Sequence, residues 1–212
     1  MPRRTGLTAL GITAQSLALI DREGLEGLSM RKLATVLEVS PMTLYSYFAD
    51  RDALLESVAQ LLYTRIKAPA HLGPRRTLHQ LMHSVRDVLL AHPNALPLIS
   101  LYPPRTLPAL AFVEGGFRAL HEAGVPARDT ARAYRTLAAY SLGTAAVEVN
   151  GYFLPDRSAV SAYPPPDPSE IAEHLPRFAE VSGHVAALDD AQEFDHGLDL
   201  ILDGFLSRHV GA

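Results

Sequence analysis

Apolar residues recur along this chain at spacings of three and four far more than at two, which predicts an almost entirely helical protein. In the first helix Leu10, Ala14, Leu17 and Ala18 fall at i, i+4, i+7 and i+8 as one apolar stripe, with Gly24 as the helix-ending residue. Ser29 is placed to cap a second helix whose inner face carries Leu33, Ala34 and Leu37. Glu38-Val39-Ser40 makes a turn. Ser40 caps the third helix, and Pro41 takes its first position, where a missing N–H costs nothing. Asp50 caps a longer fourth helix that runs to about Lys67.

Pro69 through Pro74 interrupts the pattern and marks the expected boundary between a small head, 1–67, and a larger body, 68–212. In the body the periodicity predicts helices over 76–91, a short stretch near 94–101, 106–123 closed by Gly124, 127–150, 169–182 and 190–209. Residues 155–168 hold five prolines, at 155, 164, 165, 166 and 168, and read as a loop. No internal repeat is visible. The expected fold class is all-α, a three-helix head with a helix–turn–helix joined by a connecting helix to a helical body.

The third helix carries the most distinctive surface. On a helical wheel from Pro41 to Tyr47, Leu44 and Phe48 define the buried side. Met42, Thr43 and Ser46 then face outward, flanked by Tyr45 and Tyr47. Such a face suits the major groove, since Thr and Met offer methyl contacts to thymine and hydroxyls reach base edges or phosphate. Ser29 and Ser40 at the helix starts belong to the same surface, and Arg31, Lys32 and Arg51 are expected to anchor phosphates. Arg3 and Arg4 could serve as an arm. An ordinary helical hairpin with solvated Thr, Ser and Arg would explain each residue singly. It does not explain two tyrosines and a methionine turned to solvent together.

Net charge of −4 at first opposes a nucleic-acid partner. Its distribution softens that objection, because residues 1–67 sum to +1 and residues 68–212 to −5. The absence of cysteine excludes disulfides and thiolate metal sites. No apolar run reaches the roughly 18 residues of a membrane span, and Met-Pro-Arg-Arg-Thr-Gly is followed by no signal-type apolar core. A soluble cytoplasmic protein with no membrane partner is expected.

Residues 12–55 resemble the N-terminal domain of the TetR family of transcriptional repressors. The carrying segments are Ser29-Met30-Arg31-Lys32-Leu33-Ala34, Val39-Ser40-Pro41-Met42-Thr43-Leu44-Tyr45 and Tyr47-Phe48-Ala49-Asp50-Arg51-Asp52-Ala53-Leu54-Leu55. The resemblance implies that Arg31, Thr43, Tyr45, Tyr47 and Arg51 touch DNA. The body is similar to the C-terminal domain of the tetracycline-repressor branch through Leu89-Leu90-Ala91-His92-Pro93, Tyr140-Ser141-Leu142-Gly143 and Phe194-Asp195-His196-Gly197-Leu198 with the Asp199-Leu200-Ile201-Leu202 that follows. Where that branch places ligands for its metal–drug complex, this chain has Lys67, Leu81 and Ile99, with Glu148 one residue out of register. A magnesium–tetracycline inducer is therefore not expected.

Phe194, Leu198, Ile201 and Phe205, with Leu202 and Leu206, make the last helix apolar over a wide face. Tyr134, Leu137, Ala138, Ser141, Leu142 and Ala145 line one side of the 127–150 helix, and Gly143 permits close helix approach. Paired with the same helices of a second chain, they would form a four-helix homodimer interface, setting two recognition helices about 34–36 Å apart. The remaining helices can enclose an apolar cavity for a largely apolar small-molecule effector. Val85, Leu89, Leu101, Phe112, Phe117, Tyr140 and Glu148 are its expected lining.

His79 and His83 share a helical face at i, i+4. With no cysteine in the chain, hydrogen-bonded imidazoles are expected there, and no metal or other cofactor. Neither the hydrolase elbow nor the phosphate loop is present, and Gly115-Gly116 reads as close packing. No catalytic residues are assigned. The expectation is a ligand-responsive DNA-binding regulator of repressor type. The alternatives are a helical small-molecule-binding or scaffold protein and, further behind, an enzyme using the cavity.

Overall fold

A computed structural model describes residues 6–69, 72–153 and 163–208. Among them are eleven α-helices, two short 3₁₀ turns and no strand. The first four helices are α1 (Ala9–Glu23), α2 (Met30–Val36), α3 (Pro41–Tyr45) and α4 (Arg51–Arg65). Each cap expected from the sequence is made: Ser29 Oγ accepts from the Lys32 amide at 3.2 Å, Ser40 Oγ from Thr43 at 3.2 Å and Asp50 Oδ1 from Ala53 at 2.8 Å. Gly24 closes α1 at φ 74°, where a side chain would be strained. Arg3 and Arg4 lie outside the described residues.

The stripe expected on α1 is rotated. Leu10 is 66% exposed, and the buried face is Ile12, Thr13, Ser16, Leu17, Leu19 and Ile20. Two polar side chains enter the core because their hydroxyls are satisfied there. Thr13 Oγ1 donates to the Ala9 carbonyl at 2.9 Å and meets Ser57 Oγ at 2.9 Å, and Ser16 Oγ donates to the Ile12 carbonyl at 2.8 Å.

The body comprises α5 (Pro74–Ala91), α6 (Leu96–Leu101), α7 (Leu107–Glu122), α8 (Ala127–Val149), α9 (Pro168–His174), α10 (Pro176–Val185) and α11 (Asp190–Leu206). The single helix expected over 169–182 is two, because Pro176 cannot extend α9 and Leu175 leaves helical geometry. Of the expected proline loop, 163–167 is irregular, and 154–162 lies outside the described residues. No helix among the described residues is long and apolar enough to cross a membrane.

Two hydrophobic clusters hold the helices other than α9 and α10, which have no buried residue. The first joins α1–α4 to Ala95, Leu98 and Ala109, so packing crosses the expected head–body boundary at 67/68 without a break. A polar joint reinforces it. The Asp21 carboxylate of α1 lies 2.9 Å from His92 Nδ1 at the end of α5, while Arg65 of α4 meets His92 Nε2 at 2.6 Å. Since Arg65 can only donate, the Nδ1–H tautomer satisfies both contacts. The second cluster packs α5, α7 and α8 against α11 through Phe194, Leu198, Leu202 and Leu206. The α11 stripe expected for a partner chain is thereby corrected. Its Phe194 and Leu198 join Leu202 and Leu206 in the chain's own core, leaving Ile201 and Phe205 half-buried.

Candidate DNA-reading surface and effector cavity

The α3 surface is held from beneath by one residue. Leu44 is fully buried in the head core, and Phe48 packs beside it. That anchoring turns Met42, 74% exposed, to solvent together with Tyr45, Tyr47 and Ser46. Glu38 closes α2 at φ 55°, with the Val39 N–H on the Ala34 carbonyl at 2.9 Å, fixing the angle at which α3 leaves. Thr43 is half-buried, its hydroxyl 2.9 Å from Ser40 Oγ. The four exposed side chains thus sit on, or directly after, a short, rigidly oriented helix.

The surrounding basic residues divide into different roles. Arg31 is exposed, and its guanidinium has no hydrogen bond or ion pair with another described residue. Lys32 is exposed and pairs with Glu23, whose carboxyl is held below its usual range by that bond. Arg51, expected as a phosphate anchor, turns inward: its Nε donates to the Leu28 carbonyl at 3.0 Å and one terminal nitrogen to Leu25 at 2.8 Å. It clamps the turn between α1 and α2. The Tyr47 hydroxyl similarly donates to the Leu7 carbonyl at 2.9 Å and ties down the segment preceding α1.

Arg51→Ala would leave the Leu28 carbonyl without its donor and the Leu25 carbonyl with only the Leu28 N–H, at 3.2 Å. The expected outcome is a loss of about 1–3 kcal/mol of stability, read as a lower thermal midpoint in the absence of DNA. A variant that melts like the parent but loses salt-dependent DNA binding would restore Arg51 to the phosphate anchors.

Within the body lies a cavity of about 370 Å³ enclosed by α4–α8. Four expected residues line it: Val85, Leu89, Phe112 and Phe117. Three do not. Leu101 is 67% exposed at the end of α6. Tyr140 stacks on Phe194 with centroids 5.4 Å apart and donates to the Phe194 carbonyl at 2.9 Å. Glu148 is held by both oxygens to Arg86, at 2.7 and 2.8 Å.

Other lining residues escaped sequence reading. Leu137, Ala138, Ser141 and Leu142 were expected at a dimer face, yet they point into the cavity. Tyr63 sits on the connecting helix α4, where nothing in the local spacing sets it apart. Burial pushes its phenol well above the usual range, and its hydroxyl donates to the Ile99 and Tyr102 carbonyls at 3.1 and 3.0 Å. The walls are mostly apolar, with a few polar groups. Ser141 Oγ, buried, donates only to the weak acceptor Met82 Sδ at 3.6 Å.

The cavity is wired to the head through α4. Beside Tyr63, the Gln60 amide donates to the Pro103 carbonyl at 2.9 Å and accepts from the Arg105 N–H at 2.8 Å. The strand of backbone between α6 and α7 is therefore pinned to the same helix whose N-terminus adjoins α3.

Comparison with known proteins agrees with this geometry. Residues 12–58 match the family model described as bacterial regulatory proteins, tetR family. Residues 73–208 match the tetracyclin repressor-like C-terminal domain. An HTH-type transcriptional regulator of Saccharopolyspora erythraea is 33% identical over 144 residues, 67% of this chain and 61% of that protein's length. The tetracycline repressor protein class A from transposon 1721 of Escherichia coli is 27% identical over 202 residues, covering 92% of this chain and 88% of the relative. In three dimensions the chain superposes on the Streptomyces coelicolor TetR family protein ActR, solved in complex with (S)-DNPA. The TM-score is 0.81 at 24% identity, covering 95% of this chain and 98% of that one.

Proposed function

The chain belongs to the TetR family of bacterial regulatory proteins, and from that premise we propose that residues 1–67 read a DNA operator while residues 68–212 bind an effector and dimerise. The observation that carries the proposal is the outward set on α3, Met42, Tyr45, Tyr47 and Ser46, fixed over a buried Leu44. Arg31 supplies an exposed phosphate contact at the start of α2, with Ser29, Lys32, Ser40 and Thr43 on the same side of the head. The protein acts as a cytoplasmic repressor, not as an enzyme; its relatives carry the names of regulators and repressors.

The effector is a largely apolar molecule with few polar groups, matched to the cavity walls and to Ser141 and Tyr63. The ActR complex supports a body of this fold holding a small molecule. Occupying the cavity shifts the Tyr63–α6 and Gln60–α6/α7 bonds, and α4 carries that shift to α3. By linkage, an effector that lowers operator affinity is itself bound more weakly by the operator complex.

Homodimerisation is supported by what the outer faces of α8 and α11 leave uncovered. Leu200 is 63% exposed, and Gly143 and Gly204 have open space where a side chain would stand. A second copy packing there gives the two-fold reader a palindromic operator requires.

A thermal-shift screen of aromatic compounds, followed by operator release, tests the effector half. Hits are expected to raise the melting midpoint and to free the operator. Ala138→Trp, which fills the cavity, is expected to keep operator binding and to need at least about tenfold more compound for release. Hits that release DNA equally well from Ala138→Trp would place the effector elsewhere.

A further inference from the structure

Two i, i+4 pairs on neighbouring helices face one another outside the cavity, His79 and His83 on α5 and Asp195 and Asp199 on α11. The His83 Nε2 lies 2.6 Å from Asp195 Oδ1, and His79 Nε2 stands 3.8 Å from that same oxygen and 3.7 Å from Asp199 Oδ1. Arg75 already takes Asp199 as a partner at 3.0 Å, which leaves Asp195 to the imidazoles. The carboxylate beside the imidazoles thus arrives from more than a hundred residues away.

The orientation of these groups is informative. Asp195 Oδ1 is buried and has no hydrogen-bond partner, although His83 Nε2 is beside it. The imidazole nitrogen and the carboxylate oxygen approach without the alignment of an N–H···O bond. Donor atoms of His79, His83 and Asp195 lie within 4.8 Å of one another. The rings are 4.7 Å apart between centroids, and Phe194 packs edge-on to His83 at 5.4 Å, shielding one side.

We propose that His79, His83 and Asp195 form a binding site for a borderline divalent transition-metal ion of the Zn²⁺ class, clasping α11 to α5. Two imidazole nitrogens and one carboxylate suit zinc or nickel, and water completes the shell. In a tetrahedral shell, bonds of about 2.0–2.2 Å to a shared ion set the ligand atoms about 3.3 Å apart, so the 2.6 Å contact must open by about 0.7 Å. Rotation of the partly exposed Asp195 side chain provides it. Magnesium and calcium prefer oxygen-rich shells, so two nitrogens select against them. The other face of α5 supplies Leu78, Leu81, Met82 and Val85 to the cavity wall, so the clasp braces one side of the effector site.

The test uses tag-free, chelator-treated full-length protein. With Zn²⁺ at a hundredfold excess over its dissociation constant, the melting midpoint is expected to rise by about 5–10 °C, and Mg²⁺ or Ca²⁺ to leave it unchanged. Co²⁺ is expected to develop a visible ligand-field band at one equivalent per chain. His83→Ala and Asp195→Asn are each expected to weaken Zn²⁺ binding at least about tenfold, while His196→Ala, on the exposed side of α11, leaves it intact. If a variant fails to fold, the Co²⁺ spectrum of the parent and the His79→Gln variant carry the test. No Zn²⁺-dependent shift in the parent, or a shift and Co²⁺ band that persist in His83→Ala and Asp195→Asn, would overturn the site.

Discussion

Tyr45→Ala is expected to lower operator affinity by about 10- to 100-fold, the cost of one well-placed contact to DNA. Tyr45 is exposed, and Leu44 beside it, not the tyrosine, fixes α3 to the head. Truncating an exposed side chain of this kind changes stability by no more than about 0.5 kcal/mol. The loss should therefore appear in binding alone, with melting and effector response retained. Because the proposed dimer carries two copies of the residue, single-site and palindromic duplexes should differ in how much affinity they lose. Unchanged operator affinity would mean that the outward face of α3 has been assigned to the wrong residues.

Arg86→Ala is expected to damage the body more than the loss of any exposed charge does. The Arg86 side chain is only 12% exposed and Glu148 only 24%, and the guanidinium lies 5.5 Å over the Phe194 ring. Removing the cation strands a carboxylate between α5 and α8. Complete burial would make that cost about 3–5 kcal/mol; the remaining exposure of Glu148 lowers it to about 2–3 kcal/mol. The thermal midpoint should fall by about 5–10 °C for a chain of this length. The paired replacement Arg86→Met with Glu148→Leu removes both charges and is expected to recover most of the loss. If the double variant is as unstable as Arg86→Ala, the effect belongs to packing and not to a stranded charge.

The helix starts were legible because their signals are local. Ser29, Ser40, Pro41 and Asp50 each act on an amide within three residues, so spacing alone determines their geometry. The outward set on α3 was legible for the same reason, since one buried leucine fixes the wheel. The α1 stripe was not, because Thr13 and Ser16 enter the core through hydrogen bonds that an apolar pattern does not record. The body misled more. Tyr140 and Glu148 looked like cavity residues until Phe194 and Arg86, each distant in sequence, claimed them. Arg51 looked like a phosphate anchor because its two carbonyl partners come from a turn more than twenty residues earlier. The carboxylate that meets the histidine pair, Asp195, likewise comes from a helix more than a hundred residues away.

The central claim is that α3 reads a particular DNA sequence. It is tested most directly by fluorescence anisotropy with the upstream DNA of the protein's own gene and a shuffled duplex of equal length. The reading requires binding to the upstream duplex at least about a thousandfold tighter at physiological salt, and a fall in affinity with rising salt for both. Equal affinity for the two duplexes would contradict it.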